Sequence, residues 1–265
     1  MYIKHTPDPT ETSQTDPEPS ATDTSVTDPS KPDPTDTVPS GTDFSDSLQK
    51  AAAAYINVLE RNMIDIEKVA DDYGFDPIGF YDMDGNGLPE MYYFTDAGDG
   101  YSTVFHVCEY REYMGEVFEV ITVRDVLNMG QANDHVIYLT DRELVVAYTY
   151  GESYFYHVET MIFDLNYNAV SDKWSQVSRY AREIRSDYDV STDKETVTYT
   201  YFLHDYEISE AAYTSGMEDI VGRTKIVLDR RFTFSSTDPE YDLITKPVNS
   251  QMNFVTAMEY LNTLL

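Results

Sequence analysis

The stretch that most limits what this chain can fold into is Asp82-Met83-Asp84-Gly85-Asn86-Gly87-Leu88-Pro89-Glu90. Two glycines and a proline rule out a continuous helix through it. The flanks Ile78-Gly79-Phe80-Tyr81 and Met91-Tyr92-Tyr93-Phe94 read as strands. Side chains bearing oxygen recur at Asp82, Asp84 and Asn86, and a tightly wound loop turns every second side chain inward. Convergent hard oxygen donors suit calcium, which takes six to eight of them. Read this way, Asp82, Asp84 and Asn86 hold the first, third and fifth positions of an EF-hand-like loop. Gly87 makes the sharp turn at the sixth, the Leu88 carbonyl serves the seventh, and Glu90 serves the ninth, directly or through water. The twelfth position is Tyr93, which has no carboxylate, so Glu90 must take over the bidentate contact or Asp96 must fold back. Without a cation the three carboxylates repel, and the loop is expected to be mobile.

The spacing resembles the short Asp-x-Asp-x-Asp-Gly-x-x-Asp/Glu loops of dockerin-like, thrombospondin-type and integrin-propeller repeats, which need no helix on either side. A plain polar hairpin is the simplest alternative. A sharper one is chemical: an apolar run followed by Asp-x-Asp-Gly also opens haloacid-dehalogenase-type phosphatases, with the first Asp as nucleophile. That would make the chain a hydrolase, phosphatase-like through Asp82 and Asp84. The phosphatase pattern wants Thr or Val after the glycine, where this chain has Asn86, and a parallel α/β sheet downstream.

Before the loop the composition changes. From Thr6 to Thr42 the chain is mostly Thr, Ser, Pro and Asp, with eight of its 12 prolines and Asp-Pro steps at Asp8, Asp16, Asp28 and Asp33. Such a segment buries too little apolar surface to offset chain entropy. Residues 1–45 are therefore expected to form a disordered tether, with a reach of roughly 120 Å when fully extended. Stalks of this kind hold domains away from a lipid anchor or across a cell wall; an interdomain linker has the same composition. Met1-Tyr2-Ile3-Lys4 does not lead into an apolar run, so an export signal would have been trimmed or would lie upstream, where a lipid anchor would also lie.

The remainder, residues 46–265, reads as one α+β domain. Ser45 or Asp46 can cap a helix in which Ala52, Tyr55, Leu59, Met63, Ile66, Ala70 and Tyr73 form one apolar stripe, with Gly74 past its end. The helix could break between Asn62 and Asp65. The stripe is expected to cover one face of a mostly antiparallel sheet. Strands are expected over 101–110, 116–123, 135–140, 143–150, 154–164 and 197–202, with a hairpin turn at Gly151-Glu152-Ser153. Residues 172–187 are ambiguous: Arg179, Arg182 and Arg185 have helical spacing, while Trp174, Gln176, Ser178 and Tyr180 alternate. Short helices are expected after Ser209, over 210–221, and near the C terminus, where Thr256-Ala257-Met258-Glu259 has capping-box spacing. A strand begins at Lys225-Ile226-Val227-Leu228, and Arg230-Arg231 reads as a solvated charge pair.

Charge narrows the partners. Forty-eight acids against 18 basic residues give a net charge of −30, which opposes binding to nucleic acid or an anionic membrane. No stretch approaches the length of a membrane-spanning helix. The single cysteine, Cys108, excludes an intrachain disulfide and lies in a strand pattern, as buried filler. The 23 tyrosines could present a sugar-stacking face, although tyrosine is also a favoured strand residue. The five histidines lack metal-ligand spacing, and no nucleophile elbow or phosphate loop is present. Unidentified acidic catalytic pairs remain open among so many acids.

Taken together, Ala54-Tyr55-Ile56-Asn57-Val58-Leu59, the stretch Gly79-Phe80-Tyr81 running into the Asp82–Glu90 loop, and Tyr206-Glu207-Ile208-Ser209-Glu210 resemble a group of proteins of uncharacterised activity. These are secreted or lipid-anchored in Gram-positive gut bacteria. They carry a helix, a loop of the form DxDG(D/N)GxPE and a β-rich body. Met91 stands where that group often has Leu and Asn86 where it often has Asp; neither change removes an oxygen ligand. The resemblance implies an exported, extracellular domain at the cell surface. The expected role is a non-catalytic module with a structural Ca²⁺ that binds a protein or glycan there.

Overall fold

The computed structural model describes residues 41–128, 134–152, 154–168, 173–231 and 248–265. The tether expected over 1–45 lies outside them as far as residue 40. Its last five residues belong instead to helix α1 (Gly41–Tyr73). An i,i+4 ion pair, Lys50 Nζ to Asp46 Oδ2 at 2.6 Å, lies in its first turns. The helix runs unbroken through 62–65, where Asn62 donates from Nδ2 to the Val58 carbonyl at 2.8 Å. It ends at Gly74, whose φ of +68° a residue with a Cβ would resist.

Twelve strands follow among the described residues: β1 (Ile78–Tyr81), β2 (Glu90–Asp96), β3 (Ser102–Arg111), β4 (Glu116–Asn128), β5 (His135–Leu139), β6 (Glu143–Glu152), β7 (Phe155–Asn168), β8 (Lys173–Asp189), β9 (Lys194–Leu203), β10 (Tyr206–Ile208), β11 (Ile226–Arg231) and β12 (Gln251–Met252). Helix α2 (Glu210–Gly222) lies between β10 and β11, and α3 (Phe254–Leu264) closes the chain. The α+β class holds, but the strands form two sheets instead of one: β12-β1-β2-β3-β4 and β10-β9-β8-β7-β6-β5-β11. Every pairing between named strands is antiparallel.

Strand alternation sorts the apolar side chains into three cores, and these set the layer order. Met91, Tyr93, Cys108 and Tyr110 point from the first sheet onto α1 and α3, meeting Tyr55, Leu59, Ala257 and Leu261. Tyr92, Phe94, Phe105 and Val107 point the other way, against Ile137, Leu144, Val146 and Phe163 of the second sheet. The outer face of that sheet, through Val136, Tyr138, Val145 and Ala147, packs on Tyr213, Met217 and Ile220 of α2. The order is helices, sheet, sheet, helix.

Several expectations shift at this point. Met63 turns outward at 38 % exposure, and Val58 and Val69 take places on the buried stripe. Residues 173–187 are strand: β8 is paired on both sides, by β7 and β9, and that ladder overrides the helical spacing of its arginines. Asp172 lies outside the described residues, as does Ser153 of the expected hairpin turn. Helix α2 starts as read, with Ser209 Oγ accepting from the Ala212 N–H at 3.2 Å. The last helix begins earlier than its capping-box spacing suggests, because Asn253 Oδ1 accepts from the Thr256 N–H at 2.9 Å. Arg230 and Arg231 are half-buried on β11, and the Arg231 guanidinium lies 5.2 Å from the centre of the Phe75 ring. They are not a solvated pair. No helix among the described residues is long and apolar enough to cross a membrane.

Candidate metal centre

Strand β2 opens on Glu90, which pairs with Tyr81 of β1, so the loop spans the eight residues between them. It is wound by its own side chains. Asp82 accepts the Gly85 N–H on Oδ1 at 3.0 Å and the Gly87 N–H on Oδ2 at 3.1 Å. Asp84 Oδ1 accepts from the Asn86 N–H at 3.0 Å, and its Oδ2 accepts from Asn86 Nδ2 at 3.0 Å. Asn86 Oδ1 accepts from the Leu88 N–H at 2.7 Å. Short polar side chains bonding to backbone two and three residues on are what make such turns. The winding requires left-handed backbone at Gly85 and Gly87, with φ of +77° and +93°.

The result brings Asp82, Asp84 and Glu90 together, with one carboxylate oxygen from each within 4.8 Å of the others, a group able to hold a metal ion. Asp84 is exposed, Asp82 half-buried and Glu90 buried. Glu90 Oε2 accepts from the Met83 N–H at 2.6 Å. Asn86 and Leu88 enter through the loop hydrogen bonds above, and the Leu88 side chain packs against the helix-side core. Asp96 does not fold back. It stands at the far end of β2, where Lys68 Nζ lies 2.7 Å from Oδ2 and the Gly98 N–H donates to Oδ1 at 2.7 Å. Glu90, and not Asp96, is therefore the third carboxylate of the group.

The electrostatics are lopsided. Burial, then the charges of Asp84, Asp82 and Glu109, push the Glu90 carboxyl up to about 9, against one opposing hydrogen bond from Met83. Burial also raises Asp84, with Asp82 adding to it. Carboxyls crowded and buried this way resist ionising together, and a bound divalent cation would offset the burial and the mutual repulsion.

Two contributors were not visible in the sequence reading. The Tyr55 hydroxyl, from the buried face of α1, donates to the Pro89 carbonyl at 3.0 Å and accepts from the Tyr110 N–H at 3.0 Å. It clamps the exit of the loop to β3. Glu109 adds negative charge beside Glu90 and Asp84, with Arg111 Nε 3.3 Å from its own carboxylate. Both lie far from the loop in sequence; packing of α1 on the first sheet brings Tyr55 close, and the pairing of β2 with β3 brings Glu109. Helical spacing places Tyr55 on the packing stripe, where its hydroxyl carries no separate signal.

The histidines among the described residues do not join this group. His135 Nε2 is 2.8 Å from Asp229 Oδ2 in the inter-sheet core, and His106 lies between Thr95 and Glu119. Cys108 is buried, as expected. A shallow groove between α1 and α3, edged by Ile66, Ala70, Phe254 and Glu259, presents a single aromatic ring and does not contain the carboxylates. Comparison with protein-family models, curated proteins and solved structures returned no match to this chain.

Proposed function

We propose that the Asp82–Glu90 loop binds one calcium ion, held by Asp82, Asp84, Asn86, the Leu88 carbonyl and Glu90. On this reading the ion is structural, and the domain is a non-catalytic, extracellular module. A Pro/Thr/Asp-rich stalk tethers it to the cell surface, where it binds protein or glycan, as in the secreted and lipid-anchored proteins it resembles. The convergence of three carboxylates on one loop carries the metal part. Calcium is favoured over other ions because every donor is a hard oxygen and, among the described residues, no histidine or cysteine joins the group. The acidic surface and the composition of residues 6–42 support the extracellular part.

The hydrolase reading through Asp82 and Asp84 stands behind this one. The strands flanking the loop are antiparallel, and both Asp82 oxygens already accept loop N–H groups. Extracellular calcium modules bind with a Kd near ~10⁻⁴ to 10⁻³ M. At about 10 mM calcium that corresponds to ~1.4 to 2.7 kcal/mol of stabilisation. Thermal melts in calcium and in chelator should therefore differ by roughly 3 to 10 °C, and Asp84→Ala should abolish the difference. A melt unmoved by calcium overturns the site. Turnover of a phosphate ester with magnesium, lost in Asp82→Asn, would put the hydrolase in its place.

A further inference from the structure

Sheet edges expose unpaired backbone groups, and proteins usually blunt them. Three of the four edges here are blunted. Strand β12 has only two residues. Strand β11 is bridged at Val227 by Val248, and the Asn249 N–H donates to the Val227 carbonyl at 2.7 Å. Strand β4 carries Glu116, Glu119, Arg124 and Asp125, breaks register twice and turns left-handed at Asp125, with φ of +62°. The fourth edge is different. Strand β10 covers only Tyr201–Leu203 of β9, so among the described residues Lys194–Thr200 has no strand on the side away from β8. That stretch is exposed as far as Tyr199, and its run Thr196-Val197-Thr198-Tyr199-Thr200 is uncharged, free of proline and strongly strand-forming.

The phase of the ladder says which groups are free. The His204 N–H donates to the Arg179 carbonyl, so the residues two, four and six before it also bond toward β8. The backbone N–H and C=O of Glu195, Val197 and Tyr199 therefore point away from the sheet, into solvent.

We propose that this edge pairs with the same edge of a second copy of the chain, antiparallel about a two-fold axis at Val197. In that register Val197 faces its own copy, and Glu195 faces Tyr199. All three outward residues pair, with two hydrogen bonds in each pair. A shift of the register by two in either direction drives one strand end into β10 or into the turn before Lys194. The register also keeps Glu195 away from its own copy and sets Thr196 opposite Thr198, a favourable cross-strand pair. Charge selects this part of the molecule for self-association. The span from Lys173 to Leu203 carries five basic and five acidic residues, a balance of zero on a chain of net charge −30. Two copies can meet here without opposing their excess charge directly. The contact is short beside the ~800 Å² per partner of a standard stable interface, so the dimer is concentration-dependent.

Sedimentation velocity on the full chain, up to millimolar protein, tests the pairing. The wild type should move from monomer to dimer, and added salt should favour the dimer by screening the remaining charge. Val197→Lys, which sets two like charges face to face, should hold the chain monomeric with an unchanged thermal melt. Val197→Pro should do the same, since it removes an outward N–H and leaves the β8 ladder intact. Amide exchange should show Val197 and Tyr199 protected only in the dimer, with Thr198 and Thr200 protected in both states. A wild type that stays monomeric at every concentration overturns the proposal and leaves the edge to a foreign extended segment. A dimer that survives both substitutions overturns it as well, by placing the interface elsewhere.

Discussion

At Gly79 the backbone of β1 runs so close to the Tyr92 ring that an added Cβ would enter it. The ring has nowhere to go. It is buried between the sheets, its hydroxyl donates to the Leu228 carbonyl at 2.9 Å, and Asn249 Nδ2 donates to it at 3.1 Å. Gly79→Ala should cost about 1 to 3 kcal/mol by overpacking, read as a lower midpoint in denaturant with unchanged slope. Glu159 behaves differently, because its effect depends on pH. Burial pushes its carboxyl up, but the His157 ring 3.5 Å away, the hydrogen bond from Tyr148 and the nearby Arg179 outweigh burial and hold it below the usual glutamate range. The Tyr148 hydroxyl donates to Oε2 at 2.6 Å. A carboxyl held low in the folded state adds stability that is present above its unfolded value, near ~4.3, and lost as pH falls through the folded value. Glu159→Gln should therefore flatten the loss of melting temperature below about pH 4.3 and lower stability at neutral pH.

Among the elements, α1 does two jobs with one face. Its stripe buries Leu59 and Ile66 against the first sheet, and its Tyr55 hydroxyl fastens the metal loop to β3. Tyr55→Phe keeps the ring and strands two backbone groups, the Pro89 carbonyl and the Tyr110 N–H. Leaving buried partners unmet costs about 1 to 3 kcal/mol. The variant should melt lower and, because the loop exit is loosened, need more calcium for half-maximal stabilisation. Tyr206→Phe, at a position 77 % exposed, is the control that should change neither. Three local patterns on these elements allow more than one outcome, for a common reason. Met63 fits the helical spacing of the stripe as well as Val58 or Val69 does, and only burial in the folded domain distinguishes them. Asn253 and Thr256 are both competent caps, and the choice follows from β12 ending at Met252. On β8, three arginines at helical spacing coexist with strand alternation, and neighbouring strands settle the matter.

For the whole molecule, three apolar cores of described residues hold the four layers, and the sequence of residues 6–42 has almost nothing apolar to add to them. Deleting residues 1–40 should accordingly leave the melting temperature within about 1 °C of the full chain, a shift corresponding to well under 1 kcal/mol. A larger drop would mean that the Pro/Thr/Asp-rich segment packs on the domain. The excess negative charge acts at the same scale. It is locally cancelled on the β8–β9 hairpin, while Asp82, Asp84 and Glu90 bring three ionisable carboxyls together at one loop.

Local rules were enough to reveal the loop, the first helix, most of the strands and the Ser209 cap. Each depends on the spacing of a few consecutive residues: oxygen donors at alternate positions, apolar residues at three and four, a hydroxyl before an acidic turn. Which strands share a sheet was decided by packing. β4 closes one sheet while β5 lies inside the other, and nothing in either strand's own alternation marks that division. The same holds for the partners of the metal loop. Tyr55 and Glu109 reach it through pairings among α1, β2 and β3, and the burial that lifts the Glu90 carboxyl exists only once the first sheet is covered by helices. Sequence spacing sets which atoms are available; the dielectric around them, and the charges they meet, come from residues distant in the chain.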